Sequence, residues 1–243
     1  MSVNSSVIAG TAAIPVSDWH SAAKLIDHTL LKPDATRKQV ITLCAEAVRY
    51  GFCSVMVNPS YVALAAAQVR GTAVKAGTVI GFPLGANLTV TKLAEAEAAL
   101  RNGAHELDMV LNIGALKSGD RVLVRTEIRS LTQLAHAHGA LLKVILENAL
   151  LNQEEKILAC ALAADAGVDF VKTSTGFGPS GATVADVVLM RGVVGIKIGV
   201  KAAGGIRTAA HFMDMVEAGA NRIGASASVD IVRELGAPAE LLA

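Results

Sequence analysis

Aromatic side chains are scarce in this chain: five Phe, two Tyr and one Trp among 243 residues, a share of 3%. With a hydrophobic share of 52%, the core must be filled by Ala, Val, Leu and Ile. Cysteine is scarce as well. Cys44, Cys53 and Cys160 are odd in number and widely spaced, which excludes a disulfide framework and a C-x-x-C metal pattern and favours a reducing cytoplasm. The net charge is only +1, so neither nucleic acid nor an acidic membrane surface is an expected partner. No apolar run approaches the roughly 20 residues that span a bilayer. The opening Met1-Ser-Val-Asn-Ser-Ser-Val-Ile-Ala lacks the basic start and long apolar stretch of a signal peptide. Residues 1–17 read as a mobile tail and 18–243 as one cytoplasmic domain.

Recognised site motifs are missing too. His20, His28, His105, His136, His138 and His211 form no H-E-x-x-H or related spacing and have no Cys pair beside them, so no metal and no cofactor is expected. His136-x-His138 closes a long helical pattern, where cations suit the helix dipole. There is no G-x-S-x-G elbow. Gly176-Phe-Gly178-Pro-Ser-Gly181 matches G-x-G-x-x-G formally, but it follows a late strand and contains Pro179. Lys201, rather than an acid, stands about 20 positions on, so a dinucleotide fingerprint is disfavoured.

What is present is alternation. Strand-like runs at Leu25–Thr29, Phe52–Val57, Lys75–Ile80, Glu106–Leu111, Leu142–Leu146, Asp169–Thr173, Ile196–Val200 and Arg222–Gly224 are separated by segments of helical period such as Thr36–Tyr50, Val90–Asn102 and Asp120–His138. Gly51, Gly71, Gly103, Gly139, Gly167, Gly192 and Gly219 sit where helices should stop. Eight β-then-α units with no linker predict an α/β fold, a (β/α)₈ TIM barrel in a single domain with an N-terminal extension. A doubly wound open sheet is the competitor, but it has fewer units and no dinucleotide turn follows the first strand.

A barrel carries its active site at the C-terminal ends of the strands. Asp27, Asp108, Lys172 and Lys201 all fall at or near such ends. Period-two alternation puts Glu106 and Asp108 on one face of the fourth strand, and Lys143 and Glu147 on one face of the fifth. Phe170 and Lys172 share a face of the sixth, and Lys197, Gly199 and Lys201 a face of the seventh. Structural ion pairs, or lysines snorkelling outward, are the bland reading of any one of them. Together they predict an interior with at least four lysines and three carboxylates, which a purely structural core would exclude.

Burial lowers a lysine's pKa, and a neutral amine is a nucleophile toward carbonyls. Lys172 is the predicted nucleophile, Lys201 the neighbouring ammonium that depresses its pKa, and Asp108 the general acid and base. Gly204-Gly205 and Gly224-Ala-Ser226 follow the seventh and eighth strands, where barrels commonly hold phosphate, and the turn at Gly176 follows the sixth. Any single pair also reads as a plain turn.

The runs Leu25-Ile-Asp27-His-Thr29-Leu-Leu-Lys-Pro, Val57-Asn-Pro-Ser-Tyr, Val79-Ile-Gly-Phe-Pro-Leu-Gly85, Glu106-Leu-Asp108-Met-Val, Leu142-Lys-Val-Ile, Val171-Lys172-Thr-Ser-Thr-Gly176 and Val200-Lys201-Ala-Ala-Gly-Gly205 resemble the deoxyribose-phosphate aldolase family, in order, over roughly residues 20–235. The resemblance implies a metal-free class I aldolase that cleaves 2-deoxy-D-ribose 5-phosphate reversibly to D-glyceraldehyde 3-phosphate and acetaldehyde. Lys172 would form the Schiff base, Lys201 would lower its pKa, and Asp108 would move protons. Asp27 and Thr29 would lie near the substrate, and Gly176, Gly204, Gly205, Gly224 and Ser226 would hold the phosphate. Partners are then small phosphosugars and aldehydes, with a homodimer possible. Another Schiff-base phosphosugar aldolase, or a non-catalytic phosphate-binding barrel, are the alternatives.

The chain departs from the family pattern in three places. Strand five ends Glu147-Asn148 where many relatives have Glu-Thr. Some relatives end in a tyrosine thought to reach the site, whereas this chain reads Glu240-Leu-Leu-Ala and has only Tyr50 and Tyr61, so either Asp108 and Lys201 suffice with water or turnover of the natural substrate is slower. Met56 stands where relatives often have a nucleophilic Cys. Reactive enals should therefore inactivate the native chain more slowly than a Met56→Cys variant; equal inactivation rates would refute this.

Overall fold

A computed structural model describes residues 15–239, so the predicted tail lies outside the described residues except for positions 15–17, as do residues 240–243. In chain order the elements are α1 (Trp19–Ala23), β1 (Ile26–Leu30), α2 (Arg37–Tyr50), β2 (Ser54–Val57), α3 (Val62–Gln68), β3 (Lys75–Ile80), α4 (Thr89–Arg101) and β4 (Glu106–Val110). There follow α5 (Ile113–Lys117), α6 (Arg121–Ala137), β5 (Leu141–Ile145), α7 (Gln153–Asp165), β6 (Phe170–Lys172), α8 (Val184–Val194), β7 (Gly199–Ala203), α9 (Ala209–Glu217), β8 (Arg222–Ala225) and α10 (Ser228–Glu234). The eight strands pair in parallel, each with the next, and β1 pairs with β8 to close the barrel. This is the (β/α)₈ architecture that the alternation predicts. Among the described residues, no helix is long and apolar enough to cross a membrane.

Local chemistry fixes the elements. Helix α2 starts in a capping box, Thr36 accepting from the Gln39 N–H while the Gln39 side chain reaches back. Helix α7 starts the same way with Asn152 and Glu155. Gly51 ends α2 with φ +69°, a left-handed turn that a residue with a Cβ adopts only at a cost. Helix α6 turns Val124, Ile128, Leu131 and Ala135 inward at helical spacing. These meet the outward strand residues, among them Leu107, Met109, Leu142 and Val144, in a continuous aliphatic layer.

Two expectations need correction. Gly192 does not end a helix: α8 runs through it to Val194, and Gly195 (φ +66°) is the cap. The seventh strand consequently starts at Gly199 rather than Ile196. Ile196 is 78% exposed, and Lys197 is exposed rather than inside the barrel. Glycine interrupts a helix only weakly when both flanks are apolar and helical, so Val193 and Val194 carry α8 on.

Inside the barrel, side-chain volume is traded between neighbouring strands. Gly199 on β7 pairs with Phe170 on β6, and a Cβ there would come within 2.1 Å of the Phe170 ring. That ring lies 5.1 Å beneath the Arg222 guanidinium. Gly77 likewise gives its space to buried Met56. A Gly199→Ala change should destabilise the fold by about 1–3 kcal/mol through overpacking. A urea titration that finds the midpoint unchanged would show that Phe170 yields freely.

Candidate active site

Seven ionisable side chains from six strands meet on the barrel axis. They are Asp27 from β1, Glu106 and Asp108 from β4, Lys143 from β5, Lys172 from β6, Lys201 from β7 and Arg222 from β8. All are buried, with Asp27, Asp108, Lys143 and Lys201 at 0% exposure. Alternation explains the convergence: Asp108 is in register with Lys143, and Lys172 with Lys201, so their side chains share a face and a height.

Asp108 is the hub. Its Oδ1 accepts from Lys143 Nζ at 2.7 Å, and its Oδ2 accepts from Lys172 Nζ at 2.9 Å and Lys201 Nζ at 2.7 Å. Around it the other carboxylates are shared. Lys143 Nζ is 2.6 Å from Glu106 and 3.8 Å from Asp27, and Lys201 Nζ is 2.5 Å from Asp27. Arg222 donates to Asp27 at 2.7 Å and to Glu106 at 2.9 Å, and the Ser54 hydroxyl donates to Asp27 at 2.7 Å.

Four basic groups thus face three carboxylates. An unmatched charge in this buried interior is costly, and the balance closes when one base is neutral. Lys143 meets three carboxylates, while Lys201 and Arg222 meet two each. Lys172 meets only Asp108. It is the amine with least reason to keep its proton. Burial pulls its pKa down; Asp108 opposes this, and Lys201 adds to it, leaving Lys172 at about 8 rather than 10.5. For Lys143 the same burial is overcome by Asp108, Glu106 and Asp27, and its pKa is raised. Burial would raise Asp108, but Lys143, Lys172 and Lys201 outweigh it and hold the carboxyl well below its ordinary range. Asp27 is lowered likewise by Lys201, Arg222 and Lys143 against its burial.

Above the network opens a cavity of about 390 Å³. Lys172 lies at its floor, with Thr29, Gly176, Gly204, Gly205, Gly224 and Ser226 on its walls. No carboxylate lines it, while Lys32 and Arg207 do. Among the described residues, no hydrogen bond within the protein uses the N–H of Gly176, Gly205 or Ser226. The turns therefore offer donors and cations to an anion of phosphate size.

The structure brings Lys172, Thr29 and the predicted turns into one cavity. It places Lys201, Asp108 and Asp27 beneath, in contact with Lys172 or with one another rather than on the walls. Alternation alone misassigned Lys197, which is exposed, and Glu147, which turns away from the barrel axis to bond Thr175. It missed Arg222, although its shared parity with Gly224 was a usable signal. Lys32 and Arg207 also escaped, because loop residues carry no period; their position directly after strands on the active face was the only hint. The thiols take no part: burial pushes Cys44 and Cys53 up to about 11 and Cys160 to about 12. No group of metal-ligating side chains occurs among the described residues.

Residues 21–236 match the model of the DeoC/LacD family aldolases. A deoxyribose-phosphate aldolase of Thermoanaerobacter sp. (strain X514) is 58% identical over 213 residues, 87% of this chain and 96% of that protein. One from Aciduliprofundum boonei is 56% identical over 218 residues, 90% and 98% of the two chains. Among solved structures, a candidate deoxyribose-phosphate aldolase from Coccidioides immitis superposes with a TM-score of 0.87 at 46% identity, covering 91% of this chain and 88% of the other. The tetrameric deoxyribose phosphate aldolase of Aeropyrum pernix gives 0.84 at 36% identity, covering 90% and 92%.

The contact pattern makes a signed prediction. Reductive alkylation of Lys172 by an aldehyde and cyanoborohydride should rise with pH about a midpoint near 8. Asp108→Asn removes the group that favours the ammonium and leaves Lys143 and Lys201 as like charges, so the midpoint should fall. Lys201→Met removes a like charge and frees Asp108 for Lys172, so the midpoint should rise. Midpoints that fail to move in opposite directions contradict this assignment.

Proposed function

The chain belongs to the DeoC/LacD family of aldolases and is a lyase; from that premise we propose how its barrel cleaves 2-deoxy-D-ribose 5-phosphate, reversibly, into D-glyceraldehyde 3-phosphate and acetaldehyde. The observation that carries the reading is Lys172, a buried amine with a single carboxylate partner at the floor of a cavity that holds no carboxylate of its own.

The neutral Lys172 Nζ attacks the C1 aldehyde of the open-chain sugar, and the resulting carbinolamine takes up one proton and loses water to give a protonated imine. With its pKa at about 8, roughly a tenth of Lys172 is neutral at pH 7, against about one part in three thousand at the ordinary value. Removal of the proton from the C3 hydroxyl lets the C2–C3 electrons flow toward the imine nitrogen. The C2–C3 bond breaks, D-glyceraldehyde 3-phosphate leaves, and an enamine stays on Lys172. Protonation at C2 and hydrolysis release acetaldehyde and return the amine.

Asp108 is held so far below the ordinary carboxyl range that it stores no proton at neutral pH. We assign it to orient Lys172 and Lys201 and to pass protons, through water, to and from amines that hold them. Asp27 fixes Lys201, and Thr29 lies on the cavity wall beside the substrate chain. The phosphate rests on the Gly176, Gly204–Gly205 and Gly224–Ser226 turns, with Lys32 and Arg207 supplying positive charge.

Incubation with acetaldehyde, borohydride reduction and peptide mapping by mass should place a single label on Lys172. Lys172→Met should lose both the label and about four orders of magnitude in turnover of deoxyribose 5-phosphate. Label spread over surface lysines, or faster cleavage of another phosphosugar, would reject the assignment.

A further inference from the structure

Glu147 is, among the described residues, the one side chain other than glycine whose backbone has positive φ (φ 55°, ψ 63°). That conformation is unfavourable for any residue with a Cβ and persists where surrounding contacts impose it. The contacts here are plain. The chain leaving β5 continues along the end of β6, with the Leu146 N–H donating to Lys172 O at 2.9 Å and the Asn148 N–H to Thr173 O at 3.0 Å. Between these two bonds the left-handed turn throws the Glu147 side chain under the loop that joins β6 to α8.

The carboxylate is 3% exposed and holds that loop from below. Its Oε2 accepts from the Thr175 N–H at 3.1 Å and from the Thr175 hydroxyl in a short bond. The Thr175 hydroxyl oxygen in turn accepts from the Phe177 N–H at 3.0 Å. The N–H groups on either side of Gly176 are thereby engaged away from the cavity, and the Gly176 N–H is left without a partner at its wall. The other carboxylate oxygen, Oε1, is buried with no hydrogen-bond partner, and a Cβ on Gly178 would stand 2.7 Å from it. On its far side the loop closes onto the next turn: the Ala182 N–H donates to Gly204 O at 3.0 Å. A buried acid with one oxygen unsatisfied and a strained backbone is a poor device for stability alone.

We propose that Glu147 is a positioning residue that sets the preference for phosphorylated over unphosphorylated substrate, by holding the Thr175–Gly178 turn in the form in which Gly176 faces the phosphate. It touches no reacting atom; it acts through Thr175. The inference rests on the Schiff-base reading above and deepens it.

The test compares kcat/KM for 2-deoxy-D-ribose 5-phosphate and for 2-deoxy-D-ribose in the full chain, alongside labelling of Lys172 by acetaldehyde and borohydride. Glu147→Gly removes the carboxylate but suits the left-handed backbone, so the fold is kept. The phosphorylated-to-unphosphorylated ratio should fall at least about tenfold, chiefly through KM, with Lys172 labelling unchanged. Glu147→Gln, which keeps an accepting oxygen for Thr175, should restore the ratio to within about threefold of native. An unchanged ratio in Glu147→Gly, or equal losses on both substrates, would overturn the proposal. Failure of the native chain to label at Lys172 would instead overturn the Schiff-base reading on which it rests.

Discussion

Asp108 is one carboxylate held by three lysines, and the site depends on that excess. Seven buried ionisable groups on the barrel axis carry four potential positive charges and three negative ones. Burial leaves little solvent to screen the surplus, so the surplus is most cheaply reduced by releasing a proton, and contact number decides which base releases it most readily. Lys143, Lys201 and Arg222 each bridge two or more carboxylates; Lys172 touches one. A depression from 10.5 to about 8 makes the neutral amine about 3 kcal/mol less costly than in an ordinary lysine. No special feature of Lys172 itself is required. Its reactivity is a property of the set.

The barrel makes such a set possible. Closing eight parallel strands with a common stagger brings inward residues of separate strands to one height, and the ring of helices seals them from solvent. An aliphatic layer outside, built from Ala, Val, Leu and Ile because the chain has few aromatics, carries the stability that the polar interior does not supply. Glycines at Gly77 and Gly199 leave room for Met56 and Phe170, and Phe170 in turn supports Arg222 from below. The cavity above receives the complementary half of the design, with turns, Lys32 and Arg207 but no carboxylate. Acids below and donors above separate the carbonyl chemistry from the holding of the phosphate.

Much of this was legible in the sequence because two periods carry it. Alternation of strand and helix gave the barrel, and period two within strands put Asp108, Lys143, Lys172 and Lys201 inside. Both signals fail where the period is broken. The apolar run through Ile196 looked like a strand, but α8 extends past Gly192 and delays β7 to Gly199, which carried Lys197 outside. Glu147 had the right parity yet left the axis, because a left-handed residue reverses the direction of its side chain and parity counting assumes extended backbone. Arg222 was within reach of the same counting. Lys32 and Arg207 were not, since loop conformation sets where they point and no periodicity describes a loop.

Neutron diffraction from a deuterated crystal near pH 8.5 tests the charge balance most directly, because it counts deuterons on each Nζ. Two deuterons on Lys172 and three on Lys143 are the predicted result. Three on Lys172, with the missing deuteron on Lys143 instead, would contradict the claim that contact with carboxylates chooses the neutral amine.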